Sequence, residues 1–159
     1  MRAVYGANMT INDIFHALLC ALAVYVAFKF WEKKIHRPRV WVLDDSESDL
    51  GLFKLKIKLD DYDVRYFSKA DSIINAYIKS LLTFSAPSCV VVDYYLSDQI
   101  KGDEVMTFFK RNGVDAVIVT GFEGGISNIA ERDIIRKSAD DSYFRSVENW
   151  IYHATGRKA

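Results

Sequence analysis

Residues 88–93 read SCVVVD: a small polar residue, an apolar and mostly β-branched run, then an aspartate. A strand with no polar alternation is covered on both faces, as in the middle of a parallel sheet. The aspartate then stands at the strand's carboxyl end. Moving outward, 116–120 (AVIVT) has the same character and exits through Thr120-Gly121. Toward the amino terminus, 40–43 (VWVL) is a short buried run followed by Asp44 and Asp45. Residues 63–67 (DVRYF) and 133–136 (DIIR) read as two further strands, the latter followed by Lys137.

The stretches between these runs read as helices. Ser46 with Asp49 three residues on is a capping-box signal for a helix reaching about Leu59. Residues 53–59 (FKLKIKL) alternate with period two, which taken alone says strand, but the cap and the surrounding pattern favour helix. Ile74, Tyr77, Ile78 and Leu81 recur at helical spacing. Val105, Phe108 and Phe109 mark a helix that stops at Asn112-Gly113. Asp140 or Asp141 can cap a last helix with Tyr143, Val147, Trp150 and Ile151 as its inner stripe. Strand and helix in alternation with short connections predict an α/β fold, a parallel sheet with helices on both faces.

Before this pattern lies a different segment. Residues 11–31 are mostly apolar, and Lys33, Lys34, Arg37 and Arg39 follow them. Twenty-one residues at about 1.5 Å each just cover a hydrocarbon core of about 30 Å. Asp13 and His16 sit near one end and Lys29 near the other, where its stem can snorkel, with Trp31 at an interfacial position. The expectation is a single-pass helix over 11–31, in the inner (cytoplasmic) membrane, with everything after the basic tract cytoplasmic. The leader, with Arg2, would lie outside. A cleaved signal peptide would carry its charges before the apolar run, not after it. A buried or partner-docking helix is the competing reading, because the uninterrupted apolar part is only 17–28. Pro38 places the boundary near residues 36–38, giving an N-terminal segment 1–36 and a domain 37–159.

The 159 residues are half apolar and carry no net charge. That composition does not indicate disorder and gives no electrostatic case for nucleic acid. Cys20 and Cys89 read as buried small hydrophobes rather than as a disulfide or metal pair.

In an open α/β sheet, ligands bind beyond the carboxyl ends of the strands, where strand order reverses. Asp44, Asp45, Asp93, Thr120 and Lys137 all fall at such ends. Singly, each has an ordinary reading: acids cap helices, threonine leaves strands, lysine sits in solvent. Together, three carboxylates repel one another unless a hard cation such as Mg²⁺ joins them. Aspartate is also a covalent nucleophile toward phosphorus, and phosphoryl transfer asks mainly for positioning and charge neutralisation.

From Val40 to about Ala154 the chain resembles a response regulator receiver domain, the phosphoacceptor module of two-component signalling. The resemblance is carried, in order, by VWVLDD, VVVDYYL, VIVTG and IIRKS. It implies a five-stranded parallel sheet of flavodoxin-like type and a domain that is not an enzyme beyond its own phosphoryl transfer and dephosphorylation. Asp93 would be the phosphoacceptor. Asp44, Asp45, Asp93 and the backbone carbonyl of Tyr95 would hold Mg²⁺. Thr120 would bond the phosphoryl group and Lys137 would pair with it. The implied partners are a histidine kinase or phosphotransfer protein and a downstream protein.

The chain departs from the family at several places. Ser138 stands where a proline usually follows the lysine, and Ile134 replaces an aromatic three residues before it. Only 16 residues separate Thr120 from Lys137. The fourth helix of the family is therefore expected to be short or replaced by a loop at Gly124-Gly125. The loop after Asp93 lacks its usual proline, and its glycine, Gly102, comes late. Two functions follow: a working phosphoacceptor, or an interaction or membrane-assembly module of the same fold that does not use phosphorylation. A hydrolase using these acids is disfavoured, because Tyr95 occupies the place where a second, acid-catalytic aspartate would be needed.

Overall fold

The computed structural model describes residues 11–35, 37–97, 100–122, 124, 126, 129–140 and 142–156, without the side chains of 11, 13, 14 and 28–35. Arg2, Gly125 and Asp141, and the side chains of Asp13, Lys29, Trp31, Lys33 and Lys34, lie outside the described residues. The chain divides into two compact units, Met1–Arg37 and Pro38–Ala159.

The first unit contains helix α1, Ile11–Ile35. The expectation of a bilayer-spanning segment over 11–31, with the inner-membrane placement built on it, finds no support here. Among the described residues no helix is long and apolar enough to cross a membrane. Cys20 is exposed on α1, against the expectation that it is buried.

In the second unit the order is β1 (Arg39–Leu43), α2 (Glu47–Lys56), β2 (Asp63–Phe67), α3 (Ala70–Leu82), β3 (Cys89–Asp93), α4 (Gly102–Arg111), β4 (Asp115–Thr120), a 3₁₀ turn (Glu131–Asp133), β5 (Ile134–Arg136) and α5 (Ser142–Ala154). The five strands are all parallel, in the order β2-β1-β3-β4-β5. From β1 the chain steps to one side for β2 and to the other for β3, so the reversal point lies between β1 and β3.

Side chains alternate across the sheet, which divides the core in two. Trp41, Leu43, Val90, Val92 and Ile118 pack on one face with Ile73 and Tyr77 of α3 and Val105 and Phe109 of α4. Val40, Val42, Val91, Val117 and Val119 pack on the other with Leu50 and Phe53 of α2 and Phe144, Val147 and Ile151 of α5. Every residue of β3 is buried, as its unbroken apolar run demands.

One helix is rotated from the expected phase. On α3 the buried positions are Ala70, Ile73, Tyr77 and Ser80, while Ile78 and Leu81 face outward. On α5 the expected stripe holds, with Val147 and Ile151 buried and Tyr143 and Trp150 packed half-buried against the same core, which Phe144 joins. Helix α2 ends at Lys56, and Ile57 has extended backbone. Ile57 and Leu59 are both buried, so the period-two signal in 53–59 is real at its end.

The β4–β5 connection has, among the described residues, only the 3₁₀ turn where a fourth flanking helix would be expected. Arg136 braces it, donating to the carbonyls of Phe122 and Gly124 and pairing with Glu131 at 3.0 Å. Lys110 of α4 adds an ion pair to Asp133 at 2.6 Å.

Candidate functional site

Strand register places the predicted residues side by side. Leu43 pairs with Val92, so Asp44 and Asp93 leave adjacent strands at the same level. Asp93 in turn pairs with Val119 and Thr120 with Arg136, which sets Thr120 and Lys137 on the next two strands along the same edge. The Lys137 N–H donates to the Thr120 carbonyl at 2.7 Å and so fixes where its side chain begins.

The ammonium of Lys137 reaches across the edge of the sheet. Its Nζ lies 2.8 Å from Asp93 Oδ1, 3.2 Å from Asp44 Oδ2 and 2.8 Å from Asp49 Oδ2. Asp44 is oriented for this by the Ser46 N–H, which donates to Oδ1 at 2.9 Å and leaves Oδ2 to the lysine. The cleft these groups line, about 10 Å³, holds no more than a single water.

Asp45 and Thr120 are turned elsewhere. Asp45 Oδ2 accepts from the Ser97 N–H at 2.7 Å, in the loop after β3. Thr120 is buried, and its Oγ1 accepts from the Phe122 N–H at 3.0 Å. Tyr95 is bound to the site through its backbone N–H, which bonds the Asp93 carboxylate. Its ring is exposed and meets Phe122 edge to face, centroids 6.1 Å apart.

Burial raises the pKa of Asp93 above its ordinary value; the Lys137 bond and charge and the Tyr95 N–H oppose the shift without cancelling it. Asp44 is raised for the same first reason, with Lys137 and the Ser46 N–H opposing. Burial pulls Lys137 downward, but the bonds from Asp49 and Asp93 and the charges of Asp93 and Asp44 outweigh it, so the ammonium is held above its usual value. The shifts do not mirror one another, because one cation is shared among several carboxylates.

Among the described residues, no three acidic, histidine or cysteine side chains are gathered as a metal cluster. Asp45 faces Ser97, while Lys137 already occupies Asp44 and Asp93. The donors at this edge are nonetheless all oxygen, and Mg²⁺ needs only one or two protein carboxylates beside its waters. The donor chemistry of Asp44 and Asp93 fits such an ion.

Gly102 has a defined reason to be glycine. A Cβ there would lie 2.1 Å from the Asp93 carbonyl and 2.9 Å from the Tyr94 Cα. Asp49 is the site residue that sequence reasoning missed. The capping signal was right, since Ser46 Oγ accepts from the Asp49 N–H at 3.2 Å, but it said nothing of the carboxylate.

No family model matches the chain, and no curated protein matches it. Solved structures do. The signal receiver domain of a putative LuxO repressor protein from Vibrio parahaemolyticus is 21% identical, with 76% of this chain and 91% of that one covered, at a TM-score of 0.59. A CheY-like response regulator receiver domain protein from Methanospirillum hungatei is 18% identical over 76% and 94% of the two chains, at 0.55. The response regulator TrrA from Thermotoga maritima, in complex with Mg²⁺ and BeF, is 17% identical over 74% and 98%, at 0.56. The second unit has the fold of response regulator receiver domains.

Proposed function

We propose that this chain is a receiver-type phosphoacceptor that takes a phosphoryl group on Asp93 and signals through protein contacts. The observation that carries the reading is the 2.8 Å pairing of Lys137 with Asp93 at the reversal point of a receiver-like sheet. A buried carboxylate with a fixed ammonium on one oxygen has its other oxygen left to attack phosphorus.

In the reaction, Asp93 Oδ2 forms an O–P bond as the N–P bond of a phosphohistidine donor breaks. The electron pair departs on the imidazole nitrogen, which takes its proton from solvent. Lys137 stays protonated and bonds a phosphoryl oxygen. Thr120 Oγ1 accepts from Phe122, so its own proton remains to be donated to another phosphoryl oxygen. Asp44, Asp45, Asp93 and the Tyr95 carbonyl are the residues that would hold Mg²⁺, which supplies charge neutralisation when bound. The donor is a histidine kinase or phosphotransfer protein. Nothing in the charge balance calls for nucleic acid.

A second reading, an interaction module that does not use phosphorylation, is favoured by the β4–β5 connection. Among the described residues, a 3₁₀ turn and Ile134 stand where receivers carry a helix and an aromatic. Incubation of the full chain with Mg²⁺ and acetyl phosphate, followed by intact mass, separates the two. The phosphoacceptor gains one phosphoryl group, lost in Asp93→Asn and with EDTA. An unmodified mass would favour the interaction module.

A further inference from the structure

We infer that Asp49 is a positioning residue of this site: a third carboxylate on Lys137 that restrains phosphoryl occupancy at Asp93. The inference rests on the phosphoacceptor reading and extends it to a residue that neither the strand-end pattern nor the receiver resemblance includes.

Asp49 lies in the first turn of α2, where its backbone N–H is tied to Ser46 Oγ. Its placement is therefore set by the helix cap and not by the lysine. From there Oδ2 accepts from Lys137 Nζ at 2.8 Å, the same distance at which Asp93 Oδ1 pairs with it. An ammonium has three N–H donors. Two of them go to Asp44 and Asp49, and Asp93 Oδ1 lies 2.8 Å from the same nitrogen as an ion pair.

A phosphoryl oxygen arriving at Asp93 must share the Lys137 ammonium with Asp44 and Asp49, which already accept two of its N–H bonds. It also meets an added negative charge. The Asp49 and Asp93 oxygens, each 2.8 Å from one nitrogen, lie less than about 6 Å apart, well inside a Debye length at physiological salt. Glu47 and Asp49 both place acid in the first turn of α2, so helix-end electrostatics does not by itself require Asp49. Its particular role is its hold on Lys137.

Neutralising Asp49 should thus release an N–H, remove a repulsion and raise the fraction of Asp93 that carries phosphate. The full chain is incubated with Mg²⁺ and limiting acetyl phosphate, and the ratio of phosphorylated to unmodified mass is read at steady state. Asp49→Asn is expected to raise that ratio about two- to fivefold, the range of a partly exposed ion pair. Asp49→Glu should return it to the wild-type level, and in a Lys137→Met background Asp49→Asn should change nothing. A purely structural Asp49 would not show this dependence on Lys137. Urea unfolding of the same four-variant cycle is expected to give non-additive midpoint shifts.

An adduct on the wild-type chain with no rise in Asp49→Asn would overturn the inference alone. So would a rise that persists without Lys137, or additive midpoints. No adduct on any variant would overturn the phosphoacceptor reading and the inference together.

Discussion

At the scale of single residues, the site is a problem of charge. Asp44 and Asp93 have folded pKa values raised from 3.8, chiefly by burial. A carboxyl raised on folding adds stability that is fully present below its unfolded pKa and lost as pH rises through the folded value. In EDTA, the two acids should therefore leave the fold more stable at the acid end of this window than at pH 7. Asp93→Asn is expected to raise stability at pH 7, where the buried wild-type carboxylate is ionised. The gain should vanish below about pH 3.8, the unfolded value. Urea unfolding at the two pH values checks both the sign and its disappearance. The carboxylates and the lysine could be read in the sequence because each ends a hydrophobic run. Asp49 could not, because its partner is 88 residues away and no local pattern records that distance.

At the scale of elements, strands were easier to locate than helix faces. An unbroken apolar run such as 89–92 admits one reading, whereas α5 offers Tyr143 and Phe144 side by side and the sequence alone does not say which turns inward. Packing decides it: Phe144 meets Phe53 of α2 edge to face at 6.4 Å, while Tyr143 stays half-buried. The shortness of the β4–β5 connection was legible as a count of residues; the bracing by Arg136 was not, because it depends on carbonyls that a sequence does not locate. Two glycines test the turns. Gly113 closes α4 at φ +76 with open space around it, so Gly113→Ala should cost about 1 kcal/mol by chemical denaturation. Gly102→Ala should cost more, because its Cβ meets backbone rather than space, and it should also lower phosphoryl uptake by pushing on the Asp93 carbonyl.

At the scale of the molecule, the fold rests on two apolar layers either side of one sheet. Phe109 is fully buried, with Trp41 and Tyr77 edge-on to it at 6.4 and 5.2 Å. Phe109→Ala should cost about 3–5 kcal/mol, measured by urea unfolding. The second unit, Pro38–Ala159, holds both layers within itself, so a fragment of those residues should fold alone with a single cooperative transition. The sheet also has a consequence for time. Asp93 rides on β3, hydrogen-bonded to a strand on each side and buried throughout, whereas Lys137 follows a three-residue strand at the sheet's edge. Amide hydrogens of Val90–Val92 should exchange with deuterium only through global unfolding, and those of Ile135 and Arg136 through cheaper, sub-global openings. The acceptor and its cation are then tethered to parts of the protein that open at different rates. Edge openings would carry the ammonium away from Asp93 while the strand beneath the carboxylate stays intact.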